Sequence, residues 1–209
     1  GVTKNPAKDA PRLTIDHLII STVDLDAGAE EISDRFGAPL EDGGKHSGFS
    51  TQSRWLSLGP DTYLEVIGID RSGRTPRRPR WFGLDRFDGP TRLTIWVVRA
   101  DELSSLMSMG AAGPGTPVAS SRDGMRWTMV VPDDGELAMD GIAPALMEWR
   151  VDKHPCHILP DHGIRLTELR LSHPDVNQRL LPDDDRVKTD NCAYGIAAKF
   201  ETASGVVTL

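Results

Sequence analysis

Residues 61–69 read DTYLEVIGI, a strand-like run whose only charge past its first residue is Glu65, set among Tyr63, Leu64, Val66 and Ile67. Residues 144–152 read PALMEWRVD and again centre on one glutamate, Glu148. A glutamate in an apolar strand is either a solvated face position or a group held inside for chemistry. Its recurrence in two runs of the same kind suggests an internal repeat and favours the second alternative.

Working outward, RLTIDHLIIS (12–21) is a β-branched strand pattern, and DLDAGAEEISDRFG (24–37) places Leu25, Ala29, Ile32 and Phe36 at helical spacing. Asp24 suits the N-cap of that helix and Gly37 its C-terminal stop. EDGGKHSGFS reads as a glycine-containing loop with room for a short strand, followed by the strands TQSRWLSLG and DTYLEVIGI. Residues 70–90 interrupt the pattern with prolines, glycines and six arginines and read as a connector. The order then restarts: strand RLTIWVVRA (92–100), short helix DELSSLMSMG, a hairpin turning at Asp123-Gly124, and PALMEWRVD. A weaker echo, RLTELRLSHPD, precedes a short helical pattern in DVNQRLL and the strand patterns GIAAKFETA and GVVTL.

The expected organisation is one domain over 1–209. Module one spans about 12–69, the connector 70–90, module two about 91–151, and a C-terminal extension about 164–209. Aligned on their helix starts, the two modules set Glu65 opposite Glu148 and His17 opposite Ile95. Anchoring on the shared Arg-Leu-Thr triplet sets His17 opposite Val97 instead. Either way an aliphatic residue stands where the first module has histidine.

Composition narrows the partners. A formal net charge of −7 argues against nucleic acid, which demands a surplus of Lys and Arg. No apolar run approaches the ~20 residues of a membrane span. Two cysteines, Cys156 and Cys192, make no disulfide framework and fit a reduced, cytoplasmic protein. Trp55, Trp96, Trp127 and Trp149 lie in strand patterns as core candidates, with one or two available to line an apolar pocket. No nucleophilic triad or dinucleotide fingerprint occurs.

The segments IDHLIISTVDLDAG, GGKHSGFSTQSRWLSLGPDTYLEVIG, RWFGLD, LMEWRVDKHP and LRLSHPD, in that order, resemble the glyoxalase-like branch of the vicinal oxygen chelate superfamily. The resemblance implies an α+β fold: tandem βαβββ modules forming a curled sheet around a shared cavity, with a β-rich C-terminal extension. It implies His17, Glu65 and Glu148 as catalytic residues and as ligands of one divalent metal (Zn, Ni, Mn or Fe), with a metal-free site as the alternative. His46, Ser53, Trp96 and His154 are the expected ligand-binding residues, His46 on a loop folded over the cavity mouth. The implied partner is a small oxygenated molecule, transformed by lyase, isomerase or dioxygenase chemistry, or only bound and sequestered. A homodimer is compatible with the fold.

Overall fold

The two glutamate-bearing runs end up on opposite halves of one sheet. The computed structural model describes residues 11–110, 112–176 and 181–209. Module one supplies β1 (Leu13–Ser21), α1 (Leu25–Phe36), β2 (Glu41–His46), β3 (Thr51–Ser57) and β4 (Tyr63–Ile69). Module two repeats the order with β5 (Arg92–Ala100), α2 (Leu103–Ser108), β6 (Thr116–Arg122), β7 (Met125–Val131) and β8 (Ala145–Trp149). Together they form an eight-stranded sheet in the order β2-β3-β4-β1-β5-β8-β7-β6. β1 and β5 pair antiparallel at its centre, and each has a parallel partner from its own module, β4 and β8. The sheet is therefore a pseudo-twofold arrangement of the repeat.

Local chemistry explains the elements. The Asp24 carboxylate accepts from the Ala27 N–H, and Gly37 closes α1 in the left-handed conformation at φ 66°. Asp123 (φ 49°) and Gly124 (φ 80°) supply the two positive φ angles of the β6–β7 hairpin turn. The EDGGKH stretch, read as a loop with room for a short strand, is the edge strand β2. A register shift against β3 between Asp42 and Gly44 accommodates its glycines.

The C-terminal strands β9 (Arg165–Ser172), β10 (Val187–Asp190), β11 (Gly195–Thr202) and β12 (Gly205–Thr208) form a second sheet in the order β10-β9-β11-β12. The helical expectation for DVNQRLL falls largely on residues outside those described. One core lies on the convex side of the large sheet, where Leu18, Ile20, Leu64 and Val66 meet α1 and the small sheet; Phe36 packs edge-on to Phe200. Fully burying each such aliphatic side chain contributes about 1.5–3 kcal/mol. A second, aromatic-rich core fills the concave side: Ile19, Trp55, Tyr63, Ile67, Ile95, Val97, Trp127 and Met129, roofed by Trp81 and Phe82 of the connector.

The two ends of the curled sheet meet at a seam between β2 and β6. Gly44 (φ 78°) lies so close to Arg122 that a Cβ there would come within 2.0 Å of its guanidinium nitrogen. The positive φ favours glycine, and any side chain there would have to displace the end of Arg122. Arg122 crosses the seam and stacks its guanidinium 4.5 Å above the Trp55 ring.

Candidate active site

His17 lies on β1 directly beside Tyr63 of β4, with the two rings stacked at 4.6 Å. Glu65 follows two residues on, across from Trp55 of β3, so period-two alternation sets it on the same concave face. His17 Nε2 is 3.6 Å from Glu65 Oε2, and both side chains are buried. They line a small cavity with His46, Trp55, Tyr63, Trp81, Trp127 and Met147. It has about 20 Å³ of free space, enough for roughly one water.

Asp16 is the residue that sequence periodicity missed. Alternation would send it to the face opposite His17, but the β1–β5 register slips between Ile15 and His17 and leaves Asp16 as the extra residue of a bulge. Its fully buried carboxylate accepts from His17 Nδ1 (2.6 Å), Arg99 Nη1 (3.0 Å), Trp149 Nε1 (2.8 Å) and His154 Nε2 (2.9 Å). Burial alone would raise its pKa, but the hydrogen bonds from His154 and His17 hold it far below the ordinary carboxylate range. An ionised carboxylate only accepts, so His17 Nδ1 carries a proton and donates it to Asp16, while Nε2 faces Glu65. The same logic places a proton on His154 Nε2, whose Nδ1 accepts from the Cys156 N–H. The expected ligand-binding residue His154 is thus a brace behind His17.

Burial raises the Glu65 pKa, while His17, the nearby Trp55 indole and Arg122 hold it down in part. Trp55 Nε1–H lies close enough to exert that effect, yet it is buried and makes no well-aligned hydrogen bond among the described residues. The Ser53 Oγ is likewise buried without a partner among the described residues. Burial raises the Tyr63 phenol well above its usual range, reinforced by the charges of Asp16 and Glu65. His46, at the end of β2, does line the cavity; its Nδ1 meets the Thr51 hydroxyl at 3.0 Å, which also accepts from Trp81 Nε1. Burial, with Arg122 and His17 nearby, pushes the His46 pKa down to about 3.

Two expected residues lie elsewhere. Glu148 faces away from the cavity, pairing with Arg150 and lining an outer hollow with Arg12, Thr14 and Arg99. The parallel ladders explain why: β4 sets Tyr63 beside His17, and β8 sets Ala145 beside Val97. The counterpart of Glu65 two residues on is therefore Met147, and a one-residue slip in the repeat alignment exchanges faces. Trp96 is fully buried on the convex side and donates its indole N–H to the Ile142 carbonyl.

Residues 15–181 match the glyoxalase-like domain family. The chain belongs to that family. Its glyoxalase-like fold is shared with a hypothetical protein from Staphylococcus aureus, at 12% identity over 87% of this chain and 88% of that one, with a TM-score of 0.59. A methylmalonyl-CoA epimerase from Mycobacterium tuberculosis is 18% identical over 65% of this chain and 85% of its own, with a TM-score of 0.43. No curated protein matches the chain.

A divalent metal, which the superfamily implies, does not fit these donors. His17 Nε2 and Glu65 are two ligands, and Ile95, Val97 and Met147 occupy the module-two side. Among the described residues no three His, Cys, Asp or Glu side chains converge to hold a cation, whereas a catalytic zinc needs three protein ligands.

Proposed function

We propose that this glyoxalase-like protein is an enzyme that moves a proton at a carbon next to a carbonyl, with Glu65 as the base. The observation that carries the proposal is the buried Glu65 carboxyl set 3.6 Å from Nε2 of a histidine whose other nitrogen is tied to Asp16. Burial raises the carboxyl's proton affinity above that of a free glutamate, which makes the carboxylate a stronger base. The Asp16 tether keeps Nε2 of His17 turned to Glu65, so that His17 takes up the proton that Glu65 removes from carbon and hands the same proton back for return to it. Trp55 Nε1–H, buried and without a well-aligned partner, is the donor for the substrate oxygen as negative charge develops on it.

Proton NMR in D₂O on a panel of alkyl- and aryl-substituted α-keto acids and α-hydroxyketones tests this. The protein should speed deuterium entry at the carbon beside the carbonyl, and Glu65→Gln should slow it by about 10²-fold or more. Absence of acceleration across the panel, or acceleration unchanged in Glu65→Gln, defeats the proposal. A second function, sequestering an apolar ligand without chemistry, is favoured by the aliphatic module-two side of the cavity. It predicts tight ligand retention that survives Glu65→Gln.

A further inference from the structure

The half of the sheet where a second set of ligands would be expected holds an apolar chamber instead. β8 bridges β5 and β7 only briefly, pairing Val97–Arg99 on one side and Trp127–Met129 on the other. Before β8 begins at Ala145 no described strand lies between Ile95 of β5 and Val131 of β7, and Ala138, Met139 and residues 142–144 line the gap. The space left is about 190 Å³, lined on its inner side by Trp81, Phe82, Ile95, Met129, Val131 and Ala145. Trp81, Phe82 and Met129 also border the Glu65 cavity, so the two spaces share a wall.

Two features mark the chamber as built to hold something. Among the described residues Glu136 is the one charged side chain on its lining, and its carboxylate is paired with Arg86 at 3.0 Å. The outer wall carries three successive left-handed residues, Met139 (φ 49°), Asp140 (φ 55°) and Gly141 (φ 95°). A Cβ at Gly141 would lie 1.8 Å from the Thr94 carbonyl oxygen, so the wall is pressed against the start of β5. Non-glycine residues in that conformation are costly, and such strain gathers at ligand sites.

We infer that this chamber binds an apolar group about the size of one aromatic ring, and that the substrate is a carbonyl compound bearing such a group. A dry cavity of about 150 Å³ lined by aliphatic and aromatic side chains is large enough for benzene. The substrate class rests on Glu65 acting as the base; occupancy of the chamber does not. The ring sits against Ile95, Met129 and Val131, and the oxygenated carbon reaches past Trp81 and Phe82 to Glu65 and Trp55.

Benzene itself is the probe, followed by tryptophan fluorescence and by thermal stabilisation of the intact chain. Saturable binding is expected to wild type and equally to Glu65→Gln. Ala145→Leu, which fills the chamber, should weaken it at least tenfold, and Val131→Ala, which enlarges it, should gain binding of naphthalene. No saturable binding to wild type and Glu65→Gln, or unchanged binding in Ala145→Leu with Val131→Ala no better for naphthalene, overturns the inference. If benzene binds as expected while deuterium exchange is indifferent to Glu65→Gln, the chamber stands and Glu65 is not the base. Exchange that depends on Glu65 without benzene binding leaves the base in place and removes the chamber.

Discussion

Replacing Asp16 by Asn should cost far more stability than an isosteric exchange ordinarily does. Asp16 Oδ1 accepts from Arg99, Trp149 and His154, and Oδ2 accepts from His17. Asn keeps the first oxygen but loses the charge, so the hydrogen bonds from Trp149 and His154 weaken to neutral strength, a loss of about 1 kcal/mol each. Its amide then faces His17 Nδ1, forcing the other tautomer and turning an N–H towards Glu65. With Arg99 left short of its counter-charge, a total of about 3–5 kcal/mol is expected. In urea, with a slope of about 2 kcal/mol per molar, the unfolding midpoint should fall by about 1.5–2.5 M at pH 7. The pH dependence follows from the depressed folded pKa. The carboxylate's contribution is complete above its unfolded value near 3.8 and is lost as pH falls towards the folded value, so the gap between variant and wild type should close only in acid. A midpoint shift below about 0.5 M at pH 7 would refute the assignment of Asp16 as the hub of the site.

His46 titrates in the opposite direction to a stabilising histidine. Its folded pKa of about 3 against 6.5 means that the unfolded chain takes up the proton first, so stability falls as pH drops through that window, by up to about 5 kcal/mol. Denaturant midpoints measured between pH 7 and pH 4 should show that slope, and His46→Gln should flatten it. Gly44→Ala should destabilise the fold by about 1–3 kcal/mol through its clash with Arg122 and its positive φ. A double-mutant cycle with Arg122→Ala, read by urea unfolding, should return a coupling of about 1 kcal/mol or more. Glu148→Gln should leave deuterium exchange unchanged and shift stability by no more than about 1 kcal/mol, since it removes only the pair with the half-exposed Arg150. Glu65→Gln should grow more stable relative to wild type as pH rises above the ordinary glutamate range, because the raised folded pKa makes ionisation of Glu65 a cost of folding.

The repeat was legible because β-α-β-β-β order is written in local patterns: Asp24 and Gly37 bracket a helix, and Asp123-Gly124 turns a hairpin. Glu65 and His17 were legible as neighbours because the repeat and the resemblance set both on the inner face of their strands. Asp16 was not, since a bulge is a long-range property of how β1 meets β5 and leaves no periodic trace. Glu148 was misplaced by a single residue, the smallest error that exchanges the two faces of a strand. Trp96 and Trp55 occupy similar apolar runs, and only the pairing of their strands decides which indole meets the convex core and which the cavity. Arg122 escaped notice because its partners, Gly44 and Trp55, come from the far end of the sheet.

The roof over Glu65 has a kinetic consequence. Trp81 is stacked on Phe49 at 3.9 Å and on Phe82 at 5.1 Å, and Phe82 is itself a left-handed residue at φ 57°. With space beneath for roughly one water, a larger molecule fits beside Glu65 only when side chains around the cavity, this aromatic stack among them, move aside. Capture then waits on a unimolecular opening, and the observed association rate should level off as ligand concentration rises. The strained turn at Phe82 lowers the cost of leaving the closed state, which makes it the natural hinge. Relieving it with Phe82→Gly should move that plateau, while changes at Glu65 should not.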